Sequence, residues 1–161
     1  MTITRRVSRP TRLSLAAILG SDIDGAWWPQ RGSVANELPE LVSALLPRVG
    51  EVADILINWS ARDGVHDLHA VALRVSNSTR LPCRPRLMRV STMQTCVKLL
   101  VIPSITSAEL GNQVLRVAAG HAIYDVDQNE ESVIQARRVL AVARAESAYW
   151  TGQLDHAAGC S

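Results

Sequence analysis

The sequence predicts an α+β domain: an antiparallel sheet of four to five strands, with one helix between the first two strands and two C-terminal helices. Three observations predict it. Apolar and polar residues alternate over residues 51–60, the period of a strand with one buried face. Apolar residues recur at helical spacing over residues 38–46 and again after residue 106, the pattern of helices with one buried stripe. The changes of period fall at Gly50 and Pro103, residue types that end elements, and strands followed by helices describe helices packed against a sheet.

Residues 1–10, MTITRRVSRP, are basic and polar and end in proline, which reads as a disordered leader. A single domain is expected over residues 11–151 and a flexible tail over 152–161. Leu13 and Leu15 alternate with Arg12 and Ser14 as a short strand. The stretch from Asp22 to Gly32, with two glycines and Pro29 around Trp27 and Trp28, reads as irregular or at most an edge strand. Ser33 or Asn36 can cap the helix that carries Leu38, Leu41, Val42, Leu45 and Leu46. Pro39 favours Asn36, because proline is tolerated in a first turn, and Pro47 with Gly50 stops the helix.

In the following strand Ile55, Ile57 and Trp59 share one face, which is expected to point inward. Asp63-Gly64 and Asn77 to Thr79 are turn signals. Between them Val71, Leu73 and Val75 alternate as a strand, although His66 to Leu73 can also form a helical turn. Arg86 to Ser91 and Thr95 to Ile102 read as a hairpin around Thr92 to Gln94. Thr106-Ser-Ala-Glu109 has the form of a capping box before Leu110, Val114 and Leu115, with Gly120 placed to end that helix. The last helix is expected from near Asp127 or Asn129 to about Thr151, with Val133, Ala136, Leu140, Ala143, Ser147 and Trp150 along one side.

A composition of 47% hydrophobic and 20% charged residues excludes a disordered chain. The chain has no Phe, sixteen Arg and twenty Ala, and Lys98 is its only lysine, a bias that GC-rich coding produces without any need for phosphate recognition. The net charge of +2 is too small to make the whole molecule a polyanion binder. Its distribution is uneven: residues 1–21 and 68–108 carry ten basic residues and no acidic one. Cys83, Cys96 and Cys160 are odd in number and widely spaced, which gives no disulfide framework and suits a reducing cytoplasm. Arg5 and Arg6 before the short run Leu13 to Gly20 imitate an export signal, but the run is brief and Asp22 and Asp24 follow it. No stretch reaches the roughly 18 apolar residues of a membrane span.

Asp24, Trp27, Trp28 and Arg31 form the candidate binding site, since tryptophan beside arginine and aspartate is the chemistry of recognition hot spots. The competing reading is that both indoles are core anchors in a chain without Phe. Asp63, His66, Asp67 and His69 offer metal-ligand types within seven residues, but a turn and a solvated loop explain them, and no metal is expected. The pairs Asp22/Asp24 and Asp125/Asp127 are explained as turn and capping residues. Cys83 and Cys96 lie in basic stretches that favour a thiolate, yet neither has a histidine near it in sequence. Arg74, Arg80, Arg84, Arg86, Arg89 and Lys98 line the hairpin region, but no aromatic between residues 60 and 123 can stack a base, so nucleic acid is not an expected partner. No phosphate-binding glycine loop, dinucleotide motif or nucleophile elbow occurs. No catalytic residue and no cofactor is therefore assigned.

The motif DGAWWP, Asp24 to Pro29, together with RLSL at Arg12 to Leu15, ELP at Glu37 to Pro39 and LLVIP at Leu99 to Pro103, resembles an actinobacterial, mycobacterial-type family of unknown function. The resemblance spans roughly residues 12–120, with residues 61–90 departing from the family's pattern. It implies a small cytoplasmic domain and imports no catalytic residue. The expected function is a non-catalytic protein-interaction or regulatory module, with a homodimer or an acidic protein as its partner and no membrane. The alternative is a small-molecule-binding domain or enzyme with a pocket near Trp27-Trp28.

Overall fold

The computed structural model describes residues 11–31, 33–60, 68–73, 84–120 and 131–158. The order is β1 (Arg12–Leu15), β2 (Gly25–Trp28), α1 (Val34–Val49), β3 (Val52–Ile57), α2 (Leu68–Leu73), β4 (Arg86–Thr92), β5 (Cys96–Val101), α3 (Ala108–Ala118) and α4 (Glu131–Ala158). The chain is thus α+β as expected, with five strands in the order β1-β2-β5-β4-β3. Among the described residues no helix is long and apolar enough to cross a membrane. The basic leader, the turn at Asn77 to Thr79 and Cys83 fall outside the described residues, as do Asp125 and Asp127.

Three details correct the expected arrangement. The sheet is mixed: β1-β2, β3-β4 and β4-β5 are antiparallel, whereas β2-β5 is parallel. Two antiparallel pairings in succession, β3 with β4 and β4 with β5, return the chain to its starting direction, so β5 runs with β3. The α1 crossover likewise makes β3 run with β2, leaving β2 and β5 parallel. Second, α1 lies between the second and third strands, because Gly25–Trp28 is an interior strand bonded to neighbours on both sides. Third, of the two forms that the sequence allows there, residues 68–73 take the helical one, with Leu68, Val71 and Ala72 buried. Spacings of three and four residues decide against alternation there.

The helix ends also shift. α1 begins at Val34 after Ser33, which makes no side-chain cap bond, and both Pro39 and Pro47 lie inside it. Burial of Leu41, Leu45 and Val49 stabilises the extra turns, as tertiary packing commonly does for helices. Gly50, at φ +82°, ends the helix and donates its N–H to the Leu46 carbonyl. α3 is capped by Ser107, whose hydroxyl accepts from the Leu110 N–H at 3.4 Å, one residue later than the capping box implies. α4 continues through Gly152 to Ala158, where a tail was expected.

The pleat divides the core. One face packs Trp27, Met88, Val90, Val97, Leu99 and Val101 against Leu41, Leu45 and Val49 of α1. The other packs Ala26, Trp28, Leu87, Leu100 and Ile102 against α2, α3 and α4. Consecutive tryptophans on β2 therefore anchor opposite faces, as the two-residue period requires.

Candidate functional site

The motifs that carry the family resemblance meet at the β1-β2 edge of the sheet, and their contacts are internal. The Asp24 carboxylate is fully buried and accepts backbone N–H bonds from Gly20 at 2.7 Å, Ser21 at 3.0 Å and Lys98 at 2.9 Å. It thereby ties the β1-β2 loop to β5. A Cβ on Gly25 would collide with the Ser14 carbonyl, so glycine permits the close pairing of β1 with β2. Trp28 lies between the Arg12 guanidinium, 3.7 Å from its ring centre, and Gly111 of α3, where a Cβ would strike the indole. Arg12 also donates to the carbonyls of Trp28 at 3.1 Å and Pro29 at 2.8 Å. Glu37 closes the segment by accepting the N–H groups of Gln30 at 2.6 Å and Arg31 at 2.9 Å.

Of the four residues expected to bind, Asp24, Trp27 and Trp28 are buried in these contacts, and the Arg31 side chain is exposed. The burial of both indoles is what the core-anchor reading expects. His69 is exposed on α2, and its companions Asp63, His66 and Asp67 lie outside the described residues. Among the described residues no group of three or more His, Cys, Asp or Glu is placed to hold a metal ion. Cys96 is a free, half-buried thiol, 3.9 Å from the Ser91 hydroxyl. The pleat splits the basic run: Arg86 pairs in register with Val101, while Arg89 and Lys98 stand opposite each other on the other face.

A different constellation opens to solvent at the far edge of the sheet. Beyond Ile57 the Asn58 side chain donates to the Pro85 carbonyl at 3.1 Å and accepts the Leu87 N–H at 2.7 Å. This clamp holds the end of β3 against the start of β4 and sets Trp59 beside Arg86, whose guanidinium carbon lies 5.2 Å from the indole centre. Across from them, α4 presents Glu146, Tyr149, Trp150 and Gln153 at i, i+3, i+4 and i+7, one face of a helix. Together with Ile57, Asn58, Ser60 and Arg84 they line a cleft of about 320 Å³.

The cleft joins the two cores at the surface, since Trp59 packs on the α1 side and Trp150 on the α3-α4 side. Its one described ion pair is lopsided: Arg84 stands 3.8 Å from Glu146, with the arginine side chain 56% exposed and the glutamate 10%. The Gln153 amide donates to the Tyr149 hydroxyl at 2.8 Å, and Tyr149 is 60% exposed. Sequence periodicity puts Trp59 and Trp150 on inward faces and assigns no role to Glu146, Tyr149 or Gln153. Their helical spacing was the available signal, but nothing local joins them to Trp59, ninety residues away in the chain.

This arrangement defines a mixed five-stranded sheet domain whose Asp24 to Pro29 segment belongs to its frame and whose solvent-facing aromatics line a cleft elsewhere. A family model matches residues 12–118, and the chain belongs to that family, DUF5994, a family of unknown function. The matched span contains the Asp24 to Pro29 segment and the β3-β4 side of the cleft, and ends before α4. No significant match was found among curated proteins or solved structures.

Proposed function

We propose that this chain is a non-catalytic interaction module of the cytoplasm, and that its contact surface is the cleft at the end of β3. One observation carries the reading. The chain has only six aromatic residues; two are committed to the cores, and three of the other four, Trp59, Tyr149 and Trp150, converge on one open cleft. Aromatic side chains with arginine are the residues that dominate binding energy at interfaces. β3 is a sheet edge with Leu56 and Ile57 exposed, which extends the surface along a strand able to pair with another chain.

Peptide display against the whole chain, with a Trp59→Ala/Trp150→Ala variant as counter-selection, tests this reading. The expected result is a set of enriched peptides that bind the chain and lose at least about tenfold in affinity for the variant, the range of an interface hot spot. Peptides that bind the folded variant equally well would place the contact surface elsewhere. A second copy of the chain is one such partner, through β3. Sedimentation equilibrium would then show a dimer that dissociates in Ile57→Lys. The small-molecule alternative is favoured by the volume of the cleft, at the lower end of the range for ligand sites, and moves from Trp27-Trp28 to Trp59 and Trp150.

A further inference from the structure

We infer that the cleft takes an acidic peptide: a segment of a partner that seats an aromatic or large aliphatic side chain between Trp59 and Trp150 and sets a neighbouring carboxylate on Arg84. The inference rests on the reading of the cleft as the contact surface, and adds to it the chemistry of what is bound.

Three features select that chemistry. Trp59, Tyr149 and Trp150 stand among polar side chains in the lining, and a volume of about 320 Å³ suits one large side chain rather than an extended ligand. The ion pair on the wall turns its cation outward, because Glu146 is buried and Arg84 is more than half exposed. An incoming group therefore meets guanidinium N–H donors, which match a carboxylate in shape as well as charge. At 3.8 Å, Arg84 is far enough from Glu146 for its remaining donors to turn toward a second acceptor. Arg86, whose guanidinium carbon lies 5.2 Å from the Trp59 ring centre, is a second cation beside that residue. The edge position of β3 explains why the ligand is a peptide: its backbone can run along the strand while one side chain enters the cleft at Ile57 to Ser60. The acidic residues of β3 and its approach, Glu51 and Asp54, lie toward the opposite end of the strand, so the partner's carboxylate belongs at the Arg84 end.

The experiment follows the indole N–H signals of Trp59 and Trp150 by NMR in the full chain during titration with three capped peptides. These are acetyl-Glu-Phe-Glu-amide, acetyl-Gln-Phe-Gln-amide and acetyl-Lys-Phe-Lys-amide. The acidic peptide is expected to bind about tenfold more tightly than the neutral one, the increment of a charge-assisted hydrogen bond, and the lysine peptide most weakly. Arg84→Gln should remove the preference for acid while leaving the neutral peptide unchanged, and Arg84→Lys should retain most of it. Because Arg84→Gln leaves Glu146 without that partner, the double variant Arg84→Gln/Glu146→Gln provides a second route to the same loss. Equal binding of the acidic and neutral peptides, with both indoles shifted, would overturn the carboxylate assignment and leave the cleft as the contact surface. Indoles unmoved by all three peptides would overturn both. N-acetylphenylalanine binding as tightly as the acidic peptide would replace the partner segment with a free aromatic acid.

Discussion

The four tryptophans divide into two sites that teach different lessons. At β2, Trp27 and Trp28 are buried on opposite faces of the sheet, and the Trp28 ring has close neighbours on α3 and β1. Gly111 leaves room, Arg12 covers a ring, and Glu37 fastens the exit of the strand. At the other edge, Trp59 and Trp150 are half-buried and both line an open cleft. The β2 site lies in the span that the family model matches, whereas Glu146, Tyr149, Trp150 and Gln153 of the cleft come from α4, beyond it. A conspicuous segment can thus record what a fold needs, while an open cleft is assembled from residues with no motif at all.

Substitutions in the enclosed pair should have the largest effect. Trp27→Ala and Trp28→Ala are each expected to cost about 3–5 kcal/mol, as truncation of a large core aromatic does. Chemical denaturation monitored by circular dichroism measures this, and an unchanged midpoint would erase the contrast between the two sites. Next comes Gly111→Ala, expected to cost about 1–3 kcal/mol through overpacking against Trp28, despite a gain of up to about 1 kcal/mol in helix propensity. The same change in a Trp28→Ala background should turn stabilising, because the added methyl then enters the space left by the indole. A double-mutant cycle measures that reversal of sign.

Glu37→Ala is expected to cost about 1–3 kcal/mol, since it leaves the Gln30 and Arg31 N–H groups without their carboxylate partner. A loss near zero would mean that water replaces both bonds. The smallest effect on folding is expected at the open site: Tyr149→Ala, at an exposed position, should stay within about 0.5 kcal/mol of the wild type. A larger loss there would show that the cleft, too, is part of the frame.

Periodicity made much of this fold legible. The hairpin of β4 and β5, the α1 stripe at Leu41 and Leu45, and the α4 stripe at Val133, Ala136, Leu140 and Ala143 follow from spacing, because a local pattern selects the face that an element buries. The strand at Gly25–Trp28 was harder to see. Its flanking Asp, Gly and Pro are turn formers by local preference, and its extended form depends on bonds to β1 and β5. The cap of α1 differs from its local signal for a similar reason: Pro39 suits a first turn after Asn36, and the buried side of the helix overrides that preference.

By itself the sequence determined the α+β class, the helical and strand periods, and the family, through its match over residues 12–118. The tertiary structure decided which strands run parallel, which indoles are enclosed, and where the solvent-facing aromatics meet. Burial and approach are properties of pairs of residues distant in the chain, such as Trp28 with Gly111 or Trp59 with Trp150. The energies that fix them, of excluded volume, apolar burial and the low-dielectric setting of Glu146, arise only once the chain has closed around them.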